Sequence, residues 1–214
     1  MTPESTEHLA KRCKLMRRLI RTHGPCTLVP DPDRTPFESL VRAVAHQQLN
    51  GTAAETILRR FCALFPGRRF PSAARLATVD DGALRAAGFS RAKIAALRDI
   101  AARTLDGTIP GSRKISTMPD AEIIERLVQV RGVGRWTVEM LLIFKLGRPD
   151  VFPADDFGVR NGFRIAHGLV ELPKPKELLL HAERWLPHRT IAAWYLWRAA
   201  DAARTKRPIK GVNA

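Results

Sequence analysis

Between Leu127 and Phe144 the chain reads LVQVRGVGRWTVEMLLIF, two apolar runs of helical spacing joined only by Arg131-Gly132-Val133-Gly134-Arg135. Nothing extended fits in that stretch. Two glycines around a small apolar residue permit a tight turn with close backbone approach, so the segment predicts two helices hinged over residues 131–135.

The same period governs most of the chain. Leu9, Cys13, Met16 and Ile20 repeat at helical spacing before Gly24, and Phe37, Leu40, Val41 and Val44 follow a Thr35-Pro36 start. Asn50 reads as the cap of a helix lined by Ile57, Leu58, Phe61 and Leu64 and closed by Pro66-Gly67. Asp80 or Asp81 caps a short segment ending at Gly88, and Ser90 caps a longer one with Ile94, Leu97, Ile100 and Leu105. Pro119-Asp120 opens the first hairpin helix, and further helices are expected over residues 156–167, 174–186 and 189–204. No alternating segment bounded by β-turn signals occurs, so the expected fold class is all-α with short loops.

Charge indicates the partner. Lys plus Arg number 36 against 21 Asp plus Glu, a formal +15, in a chain whose 45% hydrophobic content is ordinary for a globular protein. Such an excess suits nucleic acid or an anionic membrane surface. The basic residues are spread over many helices rather than gathered on one amphipathic segment, which disfavours the membrane. No run approaches the ~20 apolar residues of a membrane span. The opening MTPESTEHLAKRCK lacks the apolar stretch of a secretory signal. Cys13, Cys26 and Cys62 are spaced for neither a disulfide framework nor a metal site. A cytoplasmic protein acting with DNA is expected.

The hairpin fits that partner. Its turn presents N–H groups at the start of the second helix, where the dipole favours an anion. Arg131 and Arg135 add charge on either side. Arg131, Gly132, Gly134 and Arg135 are therefore candidate phosphate ligands, gripping a backbone without reading sequence. Twenty residues after Trp136, in FPADDFGVR, comes a second unusual feature: adjacent carboxylates Asp155 and Asp156 in a basic chain.

A hairpin followed at this distance by an aspartate resembles the helix-hairpin-helix DNA glycosylase superfamily. In detail FESLVRAVAHQQLNGTAA, GVGRWTVEMLLIF, DVFPADDFGVR and WLPHRTIAAWYLWR, in this order, are similar to the 3-methyladenine DNA glycosylase II family. The resemblance implies a monofunctional enzyme that flips alkylated bases out of duplex DNA and excises them, leaving an abasic site. It begins almost at the first helix, implying a compact form without the N-terminal sheet-containing domain of longer bacterial enzymes.

Carried over by position, Asp156 matches the catalytic aspartate. Cleaving an N-glycosidic bond develops positive charge on the sugar, which a fixed carboxylate stabilises or for which it orients a water. Asp is also a favoured helix cap; the cap is assigned to Asp155 and the chemistry to Asp156. Trp136 and Trp197 match tryptophans that line the base pocket, and Phe157 falls where another aromatic does. Trp185 and Trp194 read as core. His46 either touches the base or is a polar surface histidine. The wedge that fills the vacated stack aligns with Gln48, with Leu49 adjacent; an apolar residue is expected there, so its identity stays open. Arg160 holds a phosphate or pairs with Asp156. The carbonyls of Val128, Val130 and Val133 match positions that hold a monovalent cation.

Two absences sharpen the resemblance. Related enzymes that also nick the strand carry a lysine where Trp136 stands, so no lyase step is expected. The C-terminal half holds no cysteine, which excludes the iron–sulfur cluster of the endonuclease III branch. No redox cofactor or catalytic metal is implied. The expected architecture is a helical subdomain over 37–148, with the hairpin at about 121–146, and a second formed by 1–36 with 149–214. The active cleft is expected between them and a flexible tail over 205–214. The partner is duplex DNA with alkylated bases, bound by a monomer. The alternatives are a non-catalytic helix-hairpin-helix DNA-binding module and a glycosylase for oxidised or mismatched bases.

Overall fold

The computed structural model describes residues 3–49, 51–67 and 70–205. Asn50 and residues 206–214 lie outside these, and with them the expected cap and most of the expected tail. Regular structure among the described residues is helical throughout, with no strand. In chain order the helices are α1 (Pro3–Arg12), α2 (Lys14–His23), α3 (Pro36–His46), α4 (Gly51–Ala63), α5 (Ala73–Thr78), α6 (Asp81–Ala87) and α7 (Arg91–Leu105). There follow α8 (Ser112–Thr117), α9 (Asp120–Leu127), α10 (Arg135–Phe144), α11 (Phe157–His167), α12 (Pro175–Ala182) and α13 (Arg189–Thr205), with a 3-10 turn at Glu183–Trp185.

The chain divides into two compact units, Pro30–Gly147 and the pair of segments Met1–Val29 and Arg148–Ala214. In the first, α3 packs against α4, α7 and α10, and α7 also carries α5. Phe37, Leu40, Val41, Leu58, Phe61, Leu97, Ile100, Leu127 and Leu142 are buried there. Phe61 stacks edge-on to Phe65 and Phe89, the arrangement ring quadrupoles favour. In the second unit α11 lies along α13, and α2 packs on both. Gly162 makes that crossing possible, because a Cβ there would run into the Leu196 carbonyl. Trp185, Trp194 and Tyr195 are buried in this unit, the first two as expected.

Several helix starts follow local chemistry. The Thr35, Ser72 and Ser90 hydroxyls and the Asp80 carboxylate each accept the backbone N–H three residues on, so Asp80 is the cap at that position. Two expectations need correction, and two short helices add to them. The first apolar stripe is two helices, because Cys13 is extended (φ −142°, ψ 117°), although Leu9, Cys13 and Met16 all remain buried. The helix lined by Ile57 ends at Ala63, and Leu64 belongs to a turn on the Phe61 carbonyl. The short helices α5 and α8 were not anticipated, being six residues each and too short to show a period. None of the three cysteines is in a disulfide; Cys13 is buried and the other two half-buried, and burial pushes the Cys26 and Cys62 thiols up.

Candidate active site

The hairpin is built as α9, a turn and α10. Val130 N–H donates to the Leu127 carbonyl and Val133 N–H to that of Val130. The two glycines do different work. Gly132 has φ +75°, and a Cβ on it would meet the Ala96 Cβ of α7 at 2.5 Å. Gly134 is an ordinary extended cap of α10 with nothing within 4 Å of where its Cβ would be. One glycine lets the turn close on the protein; the other leaves its outer face open.

Arg131 and Arg135 are both exposed. The backbone N–H of Arg131 donates to Asp99 Oδ2 at 2.8 Å, tying the turn to α7. Arg135 Nε donates at 3.0 Å to Glu139 Oε1, whose side chain is only 7% exposed. The guanidinium thus serves the fold as well as the surface. Of the three valines, Val128 is exposed whereas Val130 and Val133 are buried.

A second feature of the same unit abuts the hairpin. Helix α3 ends at His46, and Gln48 then takes φ +57°, the left-handed region that a side chain rarely adopts. Among the described residues it is the non-glycine that does so. Gln48 and Leu49 are both exposed. The preceding Gln47 holds this turn to the hairpin, its Nε2 donating to the Gly132 carbonyl at 2.9 Å and to Thr137 Oγ1 at 3.1 Å. From below, Lys93 Nζ donates to the Ala45 and Gln47 carbonyls, both at 2.9 Å. Those carbonyls close the C-terminal end of α3, where a cation is favoured; burial lowers the lysine's pKa. Gln47 and Lys93 were missed by sequence reasoning. Their partners lie 46 to 90 residues away, beyond any local signal.

Trp136 is half-buried beside a cavity of about 320 Å³ that His46, Arg42, Glu55, Met140 and Phe144 also line. His46 Nε2 lies 3.1 Å from Glu55 Oε1, and Arg42 Nη1 3.9 Å from Oε2. A cavity of this size matches the smaller ligand pockets, apolar with a few convergent polar groups. Glu55, which orients His46, was also missed.

The other unit holds Asp156, Phe157, Arg160 and Trp197. Here the expected division of labour is corrected: Asp156, not Asp155, caps α11, its Oδ1 accepting Val159 N–H at 2.8 Å. Asp155 is exposed. Capping needs the residue with extended backbone immediately before the first helical turn, and Asp156 occupies it (φ −65°, ψ 125°). The same oxygen accepts the Trp197 indole N–H at 2.7 Å. Two donors thus hold one carboxylate. Gly158 makes room for them: a Cβ would sit 2.8 Å from Trp197 Cδ1 and 3.1 Å from Asp156 Oδ1.

Phe157, first residue of α11, is 67% exposed. Arg160 Nε donates to the Pro173 carbonyl at 3.0 Å. No group of three or more His, Cys, Asp or Glu side chains placed to hold a metal ion occurs among the described residues. Nor is any described helix long and apolar enough to cross a membrane.

Comparison with known proteins adds to this geometry. Residues 41–188 match the profile of the HhH-GPD superfamily base excision DNA repair proteins. DNA-3-methyladenine glycosylase 1 of Schizosaccharomyces pombe is 45% identical over 177 residues, covering 83% of this chain and 78% of that protein. The structure of the S. pombe 3-methyladenine DNA glycosylase Mag1 in complex with abasic DNA superposes with a TM-score of 0.87 at 42% identity, covering 91% and 95% of the two chains. A DNA-3-methyladenine glycosidase from Bacillus halodurans gives a TM-score of 0.79 at 33% identity, covering 96% and 92%.

Proposed function

Because the chain belongs to the HhH-GPD superfamily of base excision DNA repair proteins, we propose that it is a monofunctional DNA glycosylase that releases alkylated bases of the 3-methyladenine and 7-methylguanine type from duplex DNA. The observation that carries the reading is the Asp156 carboxylate, fixed through one oxygen by the Val159 N–H and the Trp197 indole. A carboxylate held this way needs no reorganisation as charge develops on the sugar, which is where preorganised electrostatics lowers a barrier most.

The other residues take roles consistent with their positions. The open Gly134 face, the α10 N-terminus and Arg131 grip a phosphate, and Arg135 adds charge there. Gln48 enters the stack, with Leu49 beside it. Trp136 and His46 receive the base, and Phe157 contacts the opened nucleotide. A cationic alkylated purine gains roughly 0.5–2 kcal/mol over an aromatic face and leaves readily, so strong acid catalysis at the base is not required. Trp136 offers no amine for a Schiff base, so the product is an abasic site rather than a nick. The Val128, Val130 and Val133 carbonyls would hold a monovalent cation when DNA is bound, and Arg160 would keep a loop in place through Pro173. The protein acts as a monomer.

Base release from methylated duplex DNA by the wild type and by Asp156→Asn tests this. The substitution suits the site, since an asparagine Oδ1 still accepts the cap and indole hydrogen bonds while the charge is removed and Oδ2 is replaced by an amide nitrogen. Release of free 3-methyladenine or 7-methylguanine without nicking, reduced at least about 100-fold in the variant while duplex binding persists, is expected. DNA binding with no base release by the wild type would overturn the reading.

A further inference from the structure

Beside the hairpin, in the same unit, lies a hollow of about 490 Å³ that the reading above does not use. Arg85 of α6, Arg91 at the first position of α7, Arg98 and Arg131 line it with Asp81, Ile94 and Ala95. The charges there are not equivalent. Arg98 is half-buried and spent on structure: it donates to the Leu76 and Val79 carbonyls and pairs with Asp81. That pairing neutralises the carboxylate in the hollow. Nearby Asp99 is likewise engaged, by the Arg131 backbone N–H and, at 3.7 Å, by Arg103.

Arg85, Arg91 and Arg131 remain. All three are exposed, and none makes an ion pair among the described residues. They belong to three different elements. Three guanidinium groups converging on one hollow repel one another, an arrangement that a shared polyanion relieves. Arg91 also stands at the N-terminus of a 15-residue helix, whose dipole adds to the same field. Arg131 links the hollow to the hairpin turn, so the two surfaces are continuous.

We propose that Arg85 and Arg91, with Arg131 as the shared member, form a second phosphate-gripping surface that extends the hairpin's hold along the DNA backbone. It rests on the reading of the chain as an enzyme that acts on duplex DNA. The surface grips without reading bases and without touching the reacting nucleotide. It sets affinity and search on undamaged duplex and leaves the chemical step alone.

The test is the salt dependence of binding to two duplexes, one undamaged and one with a stable abasic-site analogue, by wild type and Arg85→Gln/Arg91→Gln. Log affinity falls with log salt at about −0.9 per phosphate neutralised, so the slope should become shallower by about 2 on both duplexes. Single-turnover base release at saturating enzyme should be unchanged, and Arg85→Lys/Arg91→Lys should restore the slope. Arg113→Gln/Lys114→Gln, which removes two exposed charges from α8, should leave it alone. An unchanged slope in the first variant, or an equal loss in the α8 control, would overturn the proposal. Failure of the glycosylase reading looks different: a wild type that binds with the full slope and releases no base.

Discussion

The indole N–H of Trp197 donates to Oδ1 of Asp156 at 2.7 Å, across 41 residues of sequence. A tryptophan that would otherwise pass as a wall of a base pocket is thereby a positioning group for the carboxylate. Its aromatic face and its N–H are separate assets, and substitution can separate them.

Trp197→Phe keeps the ring and removes the donor. A hydrogen bond to a charged group is worth about 1.5–3 kcal/mol, so single-turnover base release should slow roughly 10- to 100-fold. Binding to an abasic-site duplex should hold. Asp156→Ala should behave differently again, losing the cap of α11 as well as activity. About 1 kcal/mol of stability should go with it, a fall of roughly 2–4 °C in Tm for a chain of this size. A Trp197→Phe enzyme as fast as wild type would show that the indole donor positions nothing.

Gln48 sits where the backbone would be more comfortable with glycine. Gln48→Gly should therefore raise Tm by a few degrees, corresponding to about 1 kcal/mol of relieved strain. Under the proposal that the Gln48 side chain enters the vacated stack, excision from duplex DNA should fall at the same time. Gln47→Ala should give the opposite pairing, lowering Tm through loss of its bonds to Gly132 and Thr137 while leaving the Gln48 side chain intact. Thermal unfolding alongside the fluorescence of 2-aminopurine placed next to the lesion reads both. Unchanged base unstacking in Gln48→Gly would assign the wedge elsewhere.

Acid should weaken the Asp156 unit through a histidine. His181 packs edge-on to Phe163 and Trp185, and its Nε2 is buried without a partner. Burial first, then the Arg184 and His167 charges, lower its pKa from 6.5 to about 4. His167, 5.3 Å away, is shifted the same way, by burial and by Arg18 and Arg184. The folded state thus favours the neutral ring. The stability is present above pH 6.5 and is lost as pH falls from there towards 4. Urea unfolding at pH 7.5 and pH 5 should show this loss, and His181→Phe should reduce it while costing little at neutral pH. An equal loss in the variant would assign the acid sensitivity to other groups.

The sequence revealed those parts of this molecule whose causes are local. Thr35 with Pro36, Ser90, and the glycines of residues 131–135 each act on their own neighbours, and their elements could be read directly. So could an aspartate at the head of α11, though not which of two. Asp155 and Asp156 are chemically identical, and only the path of the chain from Pro153 selects the one whose backbone stands in the capping position. Gln47, Lys93 and Glu55 were invisible for another reason. Each is a common polar residue whose meaning comes from a carbonyl or ring brought to it by the fold. Cys13 shows the converse: its side chain keeps the helical stripe while its backbone leaves the helix, so periodicity alone hid the break.

Gly132 and Ala96 touch along a line where neither has an atom to give away. The turn and the helix behind it must therefore diversify together. An alanine at 132 is barred by backbone and neighbour alike, and any residue larger than alanine at 96 would press on the turn from behind. A transplant of residues 127–144 into another helical scaffold would need α7 with it, or at least a small residue where Ala96 stands. The inheritable unit is thus a loop plus the helix face that moulds it, rather than the loop alone.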